Sequence, residues 1–369
     1  MSTVTARALV LEAPATEPVL AEIDVLDPGP GEVRIKVSAS GVCGTDGHAI
    51  EGTHPMPVRP VVLGHEGAGV VESVGAGVTG LAPGDHVVCA LAVPCGTCRQ
   101  CRRGLAEHCN SPARRQAMSG VMADGGSRLR YKGEPAYPFF GVGTLAEYTT
   151  VRREQAVRVD PALPLDEFCL AGCGVITGYG AVLNVARVGP GDTVVVVGAG
   201  GVGVNVIQAA RTAGASTIVA VDGVPEKLDL ARKFGATHVV EASSDVAKEL
   251  GAIEPDGADV VFEVVGKPEL LTMCLGLTRV GGTCVMVGIP PMGARLSFDA
   301  FTVSANRRLL GCRGGAVVPE RDIERLVALY RAGSLNLAGL IGQRIGLDDV
   351  FTALDALGRS SFARSLVVF

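Results

Sequence analysis

The chain has 369 residues, of which 47% are hydrophobic, 19% are charged and 50 are glycine. A chain of this length is expected to form about two or three domains with a sizeable core, and its composition excludes a disordered protein. A net charge of −5 argues against a polyanionic partner, so we expect no nucleic-acid binding.

Membrane and secretion signals are not evident. No apolar run of about 18 residues is free of glycine or charge, and the start from Met1 to Glu12 lacks a basic stretch followed by an apolar one. We therefore expect no membrane partner. Eleven cysteines without a secretion leader favour a reduced, cytoplasmic location over a disulfide framework, so metal binding is the first explanation to test for the thiols.

The first part of the chain, from Ala6 to about Val159, consists of short β-branched segments broken by glycine and proline. Examples are Glu32–Ser38 (EVRIKVS), Gly67–Val74 (GAGVVESV) and Asp85–Leu91 (DHVVCAL). Short strands with frequent turn signals predict an all-β, barrel-like module.

From about Asp166 to Val287 the pattern changes to an alternation of strand and helix. Thr193–Val197 (TVVVV) has no polar face, which predicts a strand buried in a parallel sheet. The alternation continues along the chain. Helices are predicted at Val204–Ala213, Pro225–Phe234 and Glu269–Thr278, and the strands that follow them at Ser216–Asp222, Asp259–Val265 and Thr283–Ile289. This order predicts a parallel βαβ sheet.

The tail from about Arg313 is predicted to form two helices and a last strand. The helices are predicted at Arg321–Ala332 and Asp348–Leu357, and the strand at Ser365–Phe369. From the sequence pattern alone, the tail could belong to either module.

A glycine turn follows the first buried strand of the alternating part. Its sequence, Gly198-Ala199-Gly200-Gly201-Val202-Gly203, fits G-x-G-x-x-G between a strand and a helix, where free N–H groups bind a pyrophosphate. Asp222 closes the next strand, where a carboxylate binds ribose hydroxyls and repels a 2′-phosphate, which favours NAD over NADP. A glycine-rich turn without a ligand is the alternative.

Four cysteines lie within one polar loop. Cys95, Cys98, Cys101 and Cys109 can wrap one ion tetrahedrally, which is typical of a structural zinc site. An iron–sulfur cluster is a competing interpretation of these cysteines, and a nucleic-acid-binding patch formed by nearby arginines is a third. Four thiols that only pack are the remaining alternative, which fits poorly with a polar loop.

Three further residues are candidate metal ligands: Cys43, His65 and Cys173. Each by itself is equally well explained as a buried structural residue. Their separation in sequence is too large for spacing to join them into one site.

Several ordered motifs carry a resemblance to a known family. They include GHEGAGVV at Gly64–Val71, the four-cysteine loop, GAGGVG, CGVITGYGAVLNVA at Cys173–Ala186, VFEVVG at Val261–Gly266 and the terminal ARSLVVF. The chain resembles the zinc-dependent medium-chain alcohol dehydrogenases over nearly its whole length. Within them it is most similar to the class that includes glutathione-dependent formaldehyde dehydrogenase.

The resemblance implies an α/β fold with two domains. A GroES-like β-barrel catalytic domain would comprise residues 1–174 and 313–369, and a Rossmann domain with a doubly wound parallel sheet would bind NAD with residues 175–312. The implied activity is hydride transfer between an alcohol, aldehyde or ketone and NAD(H), in which zinc lowers the pKa of the bound alcohol to give an alkoxide.

The resemblance also implies roles for residues near the metal. Cys43, His65 and Cys173 would bind a catalytic zinc, with Glu66 behind the metal and Asp46 fixing the tautomer of His65. Thr45 would hydrogen-bond the substrate hydroxyl, and His48 would accept the released proton at the solvent end of a relay. Besides the glycine turn and Asp222, the implied cofactor contacts are Thr177, Val202, Lys227 and Arg364.

Some positions depart from the family pattern and shape our expectation of the substrate pocket. Gly44 stands where many relatives carry a cation on the pyrophosphate, which should loosen cofactor binding. Phe139, Phe140 and Ile289 keep an apolar wall, whereas Ala92, His54 and Arg313 suggest a roomier pocket for a bulkier hydroxylated or anionic substrate. His54 and Arg313 facing solvent is the alternative.

The chain keeps the segment Met118–Phe140 of the family that it resembles, which favours a homodimer. We expect the two copies to pair through Thr283–Val287 edge strands.

Two other functions stay open. One is a variant that holds NAD permanently and uses an external electron acceptor, and the other is a redox-silent relative that acts as a binding protein.

Overall fold

The computed structural model describes residues 3–53, 59–91, 93–357 and 363–369. The strands in these ranges are β1 Val4–Leu11, β2 Val19–Val25, β3 Glu32–Val42, β4 Val61–Val62, β5 Glu66–Val74, β6 His86–Cys89, β7 Leu129–Tyr131, β8 Glu134–Pro138, β9 Tyr148–Arg152, β10 Ala156–Val159, β11 Thr193–Val197, β12 Thr217–Asp222, β13 His238–Glu241, β14 Ala258–Glu263, β15 Thr278–Met286, β16 Arg308–Gly311, β17 Ile341–Ile345 and β18 Arg364–Val368.

The α-helices are α1 Gly44–Glu51, α2 Arg99–Arg102, α3 Pro112–Met118, α4 Leu165–Phe168, α5 Gly174–Gly180, α6 Gly203–Thr212, α7 Pro225–Phe234, α8 Val246–Ile253, α9 Pro268–Leu277, α10 Ala300–Ser304, α11 Pro319–Arg331 and α12 Val350–Asp355. A π-helix, Ala181–Ala186, continues α5. Most predicted strands and helices lie within one or two residues of these bounds. The largest difference is β15, which begins five residues before its predicted start at Thr283.

The N-terminal part forms a closed barrel and a second sheet. The barrel runs β1-β2-β7-β8-β4, and its interior is filled by small and branched side chains. The second sheet runs β10-β6-β5-β3-β18-β17, with β9 paired to β3. The predicted all-β, barrel-like module is therefore confirmed.

The C-terminal strand lies in the N-terminal sheet. β18 pairs antiparallel with β3, and Ser365 lies opposite Val42, while the same strand β3 pairs on its other side with β5. The end of β3, the start of β5 and the start of β18 therefore meet at one edge of this sheet. This register decides which module the tail joins, a choice that the sequence pattern left open.

The alternating part forms a six-stranded parallel sheet in the order β13-β12-β11-β14-β15-β16. β11 is buried along its whole length, as its apolar run predicts. The strand order reverses between β11 and β14, and ligands bind at such a switch point outside the carboxyl ends of the strands. The expected α/β fold, a barrel with a doubly wound parallel sheet, is confirmed.

The expectation that Thr283–Val287 forms the edge of this sheet is wrong. β15 carries most of that segment and pairs with β14 on one side and β16 on the other, so the edge strand is β16. β16 has only four residues, begins with Arg308 and ends with Gly311, and therefore shows no apolar run in the sequence.

Among the described residues, no single helix is long and apolar enough to cross a membrane. The segments Leu165–Gly172 and Gly174–Ala186 meet the length and composition criteria only when they are taken together across a 53° bend.

Candidate functional site

Four candidate metal ligands converge where β3, β5 and α5 meet. Cys43 follows β3, His65 and Glu66 lie at the start of β5, and Cys173 precedes α5. One ligand atom from each of the four lies within 4.8 Å of the others. The fold thus brings together three ligands that sequence spacing could not join. We call Cys43, His65, Glu66 and Cys173 the catalytic cluster.

Asp46 orients the imidazole of this cluster. Its Oδ1 accepts hydrogen bonds from His65 Nδ1 and from the Gly64 backbone N–H, both at 3.1 Å, and its Oδ2 accepts from the Cys43 N–H at 3.0 Å. Because an ionised carboxylate only accepts hydrogen bonds, Nδ1 carries a proton and its hydrogen bond to Asp46 fixes the orientation of the ring. Nε2 is buried and has no hydrogen-bond partner among the described residues, so a metal ion fits there.

The two thiols of the catalytic cluster shift each other's pKa in opposite directions. Cys173 donates to Cys43, which holds the pKa of Cys43 well below its ordinary value and that of Cys173 well above it. Burial raises both pKa values, while Arg364 lowers them. A thiolate beside a second thiol and a free imidazole nitrogen is a donor set that suits zinc.

A buried ion pair lies directly behind the cluster. Arg364 Nε and Nη2 donate to the two carboxylate oxygens of Glu66 at 2.8 and 2.9 Å, and the Gly174 N–H donates to Glu66 Oε1 at 3.1 Å. Burial raises the pKa of Glu66, and the charge of Arg364 opposes that rise. Arg364 Nη2 also lies 3.7 Å from Cys43 Sγ, so one guanidinium stabilises both the carboxylate and the thiolate.

The two residues expected to move a proton lie on α1. Thr45 Oγ1 is 3.8 Å from Cys43 Sγ, at the inner end of the helix. The His48 side chain is 50% exposed and lies 3.4 Å from Thr53 Oγ1 and 3.6 Å from a Glu51 carboxylate oxygen. Thr45 therefore lies beside the cluster, and His48 lies at the solvent.

The glycine turn adopts the close geometry that a dinucleotide needs. A Cβ on Gly203 would overlap the carbonyl oxygen of Gly198, whereas a Cβ on Gly200 would meet nothing within 4 Å. Asp222 Oδ2 accepts from the Ala199 N–H at 2.8 Å, and Oδ1 accepts from the Val224 N–H at 3.0 Å. The carboxylate is thus fixed beside the turn at the carboxyl end of β12, and the cradle fits NAD.

Arg364 joins the glycine turn to the catalytic cluster. A Cβ on Gly201 would overlap the guanidinium of Arg364, so the two are in direct contact. The other expected cofactor contacts surround the turn: Val202 caps α6, Lys227 lies in the first turn of α7, and Thr177 lies on α5 against Gly315.

The four cysteines of the polar loop form a second cluster. Their sulfur atoms lie within 4.8 Å of one another, and the Cys98 sulfur lies 3.5 Å from Cys101 and 3.9 Å from Cys109. The backbone N–H groups of Cys95 and Cys98 donate to the sulfurs of Cys109 and Cys95. A hydrogen bond from Ser111 and further N–H donors lower the pKa of Cys95 to about 5. Four sulfur ligands without an open position fit a structural zinc.

The aromatic residues expected in the substrate pocket border the catalytic cluster. Phe139 and Phe140 stack at 4.4 Å, and the His65 ring meets them edge-on at 5.4 and 5.5 Å. Ile289 lies beside Gly266 and is 56% exposed. Arg313 is exposed. Burial lowers the pKa of Arg114 on α3, and the nearby charge of Arg313 lowers it further. Ala92 and His54 lie outside the described residues.

One carboxylate near the glycine turn was not predicted from the sequence. Glu263, which ends β14, is buried and accepts from the N–H groups of Val265 and Gly266 at 2.9 and 2.7 Å. This fixes Val265, whose side chain packs against Gly198. An acidic residue at the end of an apolar strand was the available signal, as it was for Asp222.

The chain belongs to the zinc-dependent medium-chain alcohol dehydrogenase family. The family described as "Alcohol dehydrogenase GroES-like domain" matches residues 29–161, and the one described as "Zinc-binding dehydrogenase" matches residues 201–332. The protein is an oxidoreductase that uses zinc and NAD and acts on a small-molecule alcohol or aldehyde. Permanently bound NAD and a redox-silent binding role are not favoured.

Individual relatives match along almost their whole length. S-(hydroxymethyl)glutathione dehydrogenase of Escherichia coli O157:H7 is 38% identical over 366 residues, which cover 98% of this chain and 99% of the relative. An alcohol dehydrogenase zinc-binding domain protein from Burkholderia ambifaria is 34% identical with a TM-score of 0.93, and covers 100% of both chains. Benzyl alcohol dehydrogenase from Acinetobacter calcoaceticus is 31% identical with a TM-score of 0.92, again over 100% of both chains.

Two glycine substitutions separate cofactor binding from the packing of Arg364. Gly200→Ala adds a methyl group in open space, so we expect an unchanged melting temperature without NAD but NAD affinity weakened by about tenfold or more, because the methyl blocks the pyrophosphate. Gly201→Ala displaces Arg364, so we expect it to lower the unfolding free energy by about 1–3 kcal/mol as well. Thermal unfolding and calorimetric NAD titration measure both effects. Normal NAD binding by Gly200→Ala would contradict a pyrophosphate site at this turn.

Proposed function

We propose that Cys43, His65 and Cys173 hold a catalytic zinc and that the four-cysteine cluster holds a structural zinc. The unpartnered Nε2 of His65 and the thiol pair beside it support the first assignment. When bound at the catalytic cluster, zinc supplies Lewis acidity that lowers the pKa of an alcohol. Glu66 is held by Arg364 and serves as a charged neighbour of the ligands.

The two domains are proposed to divide at residues 174 and 313. Residues 1–174 and 313–369 would form the catalytic domain, and residues 175–312 the cofactor domain. The position of β18 beside β3 supports this division, as does the placement of all six parallel strands between Thr193 and Gly311. The cleft between the domains would then hold the substrate beside the nicotinamide.

In the proposed reaction, Thr45 Oγ1 accepts the proton of the substrate hydroxyl and passes it outward, and His48 releases it to solvent. Bound at the glycine turn, NAD would accept the hydride that leaves the carbon of the alcohol, which would give an aldehyde or ketone and NADH. Asp222 would bind the adenosine ribose and select NAD. Arg364 would neutralise the pyrophosphate from the contact that it already makes with Gly201.

The substrate class that the site supports best is an alcohol with an aromatic or other apolar substituent. The observation that carries this proposal is the pair of stacked rings, Phe139 and Phe140, edge-on to His65. An aromatic substituent packed against such a wall gains apolar burial and ring–ring contact. The solved relative named benzyl alcohol dehydrogenase agrees with this choice.

A second candidate substrate is an adduct with an anionic tail, such as S-(hydroxymethyl)glutathione. Arg114 lies on α3, whose Ala117 carbonyl packs against Gly141, the residue that follows Phe140, and Arg313 lies near Arg114. Arg114 Nε is buried without a hydrogen-bond partner among the described residues. Two cations at this place would attract a carboxylate, and the relative from Escherichia coli carries that substrate in its name.

A substrate panel tests the proposed function. Wild-type protein is assayed with NAD and NADP on ethanol, 1-butanol, benzyl alcohol and S-(hydroxymethyl)glutathione, after metal analysis for the two zinc ions expected per chain. We expect NAD to be preferred and benzyl alcohol to exceed ethanol in kcat/KM by about tenfold or more, because ring contact and apolar burial add together.

The same panel decides between the two substrate classes. If the wild-type protein prefers S-(hydroxymethyl)glutathione and the variant Arg114→Met loses that preference, the adduct with an anionic tail is the favoured substrate class. Zinc-loaded protein that oxidises none of these alcohols with NAD would contradict the proposed function.

The proton relay is tested with His48→Gln. Glutamine cannot accept the proton, so we expect kcat/KM for alcohol oxidation to fall about tenfold at pH 7 and to recover towards the wild-type value as hydroxide replaces the base at high pH. The pH profile from pH 6 to 10 is the measurement. His238→Gln, an exposed histidine on β13, serves as the control and should keep the wild-type profile. An unchanged profile for His48→Gln would remove His48 from the relay.

We propose that the protein is a cytoplasmic homodimer. The cysteines are all free thiols, which suits a reducing compartment. The edge strand β16 and the preceding segment expose large apolar side chains, including Phe301 (76%), Met292 (75%) and Leu310 (37%). An exposed edge strand within an apolar face supports pairing with a second copy across a two-fold axis.

The dimer is tested by sedimentation. We expect a mass of about twice the chain mass of 37.8 kDa, and a shift to monomer in Leu310→Asp, because a charge on the edge strand opposes pairing. Phe351→Asp, at an exposed aromatic on α12, is the control and should stay dimeric. A monomeric wild-type protein would overturn the dimer.

A further inference from the structure

The backbone of Phe140 has an unusual conformation. Its φ and ψ are 50° and 23°, in the left-handed region that favours glycine, and Gly141 follows with φ 77°. Residues other than glycine, asparagine and aspartate adopt this conformation rarely, and for a bulky residue such as phenylalanine it is an outlier. Such a conformation persists only where the surroundings impose it, and such residues gather at functional sites.

A buried glutamine holds this conformation. Gln155 is 1% exposed, and its Nε2 donates to the carbonyl oxygen of Phe140 at 3.1 Å. Its own backbone carbonyl accepts from the Ala90 N–H at 2.8 Å, which anchors it to the chain that follows β6. A Cβ on Gly141 would overlap the Ala117 carbonyl and lie 2.8 Å from Gln155 Nε2. The turn is therefore enclosed by α3 on one side and by Gln155 on the other.

The held turn decides where the Phe140 ring lies. With this backbone, the ring stacks on Phe139 at 4.4 Å and meets the ring of His65 edge-on at 5.5 Å. A residue with negative φ at this position would direct its side chain elsewhere, because φ and ψ set the direction of the Cα–Cβ bond. The backbone of residue 140 thus links Gln155 to the side wall of the catalytic cluster.

We propose that Gln155 is a positioning residue that determines the substrate specificity of this enzyme by holding Phe140 against His65. The proposal rests on the proposed function, since it assigns Phe140 to the wall of the substrate pocket. In this proposal Gln155 touches neither substrate nor cofactor and acts only through its hydrogen bond to the carbonyl of Phe140.

A second hydrogen bond to the same loop provides a matched control. Thr149 is buried on β9, and its Oγ1 donates to the carbonyl of Val142 at 2.6 Å. Loss of this bond removes a buried contact two residues beyond Phe140, where the backbone φ is −124°. Thr149→Val should therefore lower the melting temperature without redirecting the Phe140 ring.

The experiment compares Gln155→Leu, Thr149→Val, Phe140→Ala and the double variant Gln155→Leu/Phe140→Ala. Values of kcat and KM are measured with NAD on benzyl alcohol and on 1-butanol, and each variant is checked for zinc and melting temperature. For Gln155→Leu we expect the ratio of kcat/KM for benzyl alcohol to that for butanol to fall by about twofold to tenfold, the range that a lost ring–ring contact produces. Thr149→Val should keep the wild-type ratio.

The double variant tests whether the effect passes through the ring. If Gln155 acts through Phe140, Gln155→Leu adds no further change to the ratio once Phe140 is alanine. A further fall in the double variant, or an equal loss on both alcohols in Gln155→Leu, would show a general structural role and overturn the proposal. If Gln155→Leu does not fold, Gln155→Met replaces it, with the same expected ratio.

A crystal structure of the Gln155 variant gives a readout that does not need activity. We expect residue 140 to leave the left-handed region and its ring to move away from His65. A φ near the present value would overturn the proposal even if wild-type protein oxidised neither alcohol. Failure of the proposed function, seen as zinc-loaded wild type without activity on any alcohol, is thus distinguished from failure of the proposal about Gln155.

Discussion

The buried ion pair between Glu66 and Arg364 joins parts of the chain that lie 298 residues apart. Glu66 begins β5, and Arg364 begins β18, so the pair forms only when the C-terminal strand lies beside β3. A buried charge left without its partner costs about 3–5 kcal/mol, so this arrangement is strongly selected over others once both groups are enclosed. The guanidinium also contacts Gly201 and approaches the Cys43 sulfur, so the glycine turn and the catalytic cluster share one cation.

Carboxylates that accept several N–H groups organise the rest of the site in the same way. Asp46 accepts three N–H groups and thereby fixes the imidazole of His65, while Asp222 and Glu263 accept backbone N–H groups at the ends of β12 and β14, the two strands that flank β11. In each case fixed N–H donors replace water around the carboxylate, which is essential for Asp46 and Glu263 because both are buried. Apart from the imidazole of His65, the donors are backbone N–H groups of loops, so these hydrogen bonds fix the loops that face metal and cofactor.

The eleven cysteines fall into three groups that differ in environment. Four lie in the polar loop, two belong to the catalytic cluster, and the other five, at positions 89, 169, 274, 284 and 312, are buried. Burial raises the pKa of Cys89 to about 12 and that of Cys312 to about 11, so these thiols stay protonated and unreactive. The odd number of cysteines therefore reflects five thiols that only pack in the interior. The thiols that suit a metal are those that have hydrogen-bond donors or a second thiol beside them.

The amino-acid sequence by itself determined whatever depends on neighbours in the chain. The apolar run of β11, the glycine turn after it and the spacing from Cys95 to Cys109 are local patterns, and each appears in the structure where it was predicted. Resemblance to a family then joined Cys43, His65 and Cys173, which no spacing rule could do.

Only the tertiary structure decided the features that depend on strand register and burial. The four-residue strand β16, with arginine and glycine at its ends, becomes an edge only because β15 lies beside it. The Glu66–Arg364 pair, the left-handed Phe140 and its contact with Gln155 likewise arise where distant segments meet. Sequence patterns record the periodicity of one segment, whereas these contacts are fixed by how two sheets and their loops pack against each other.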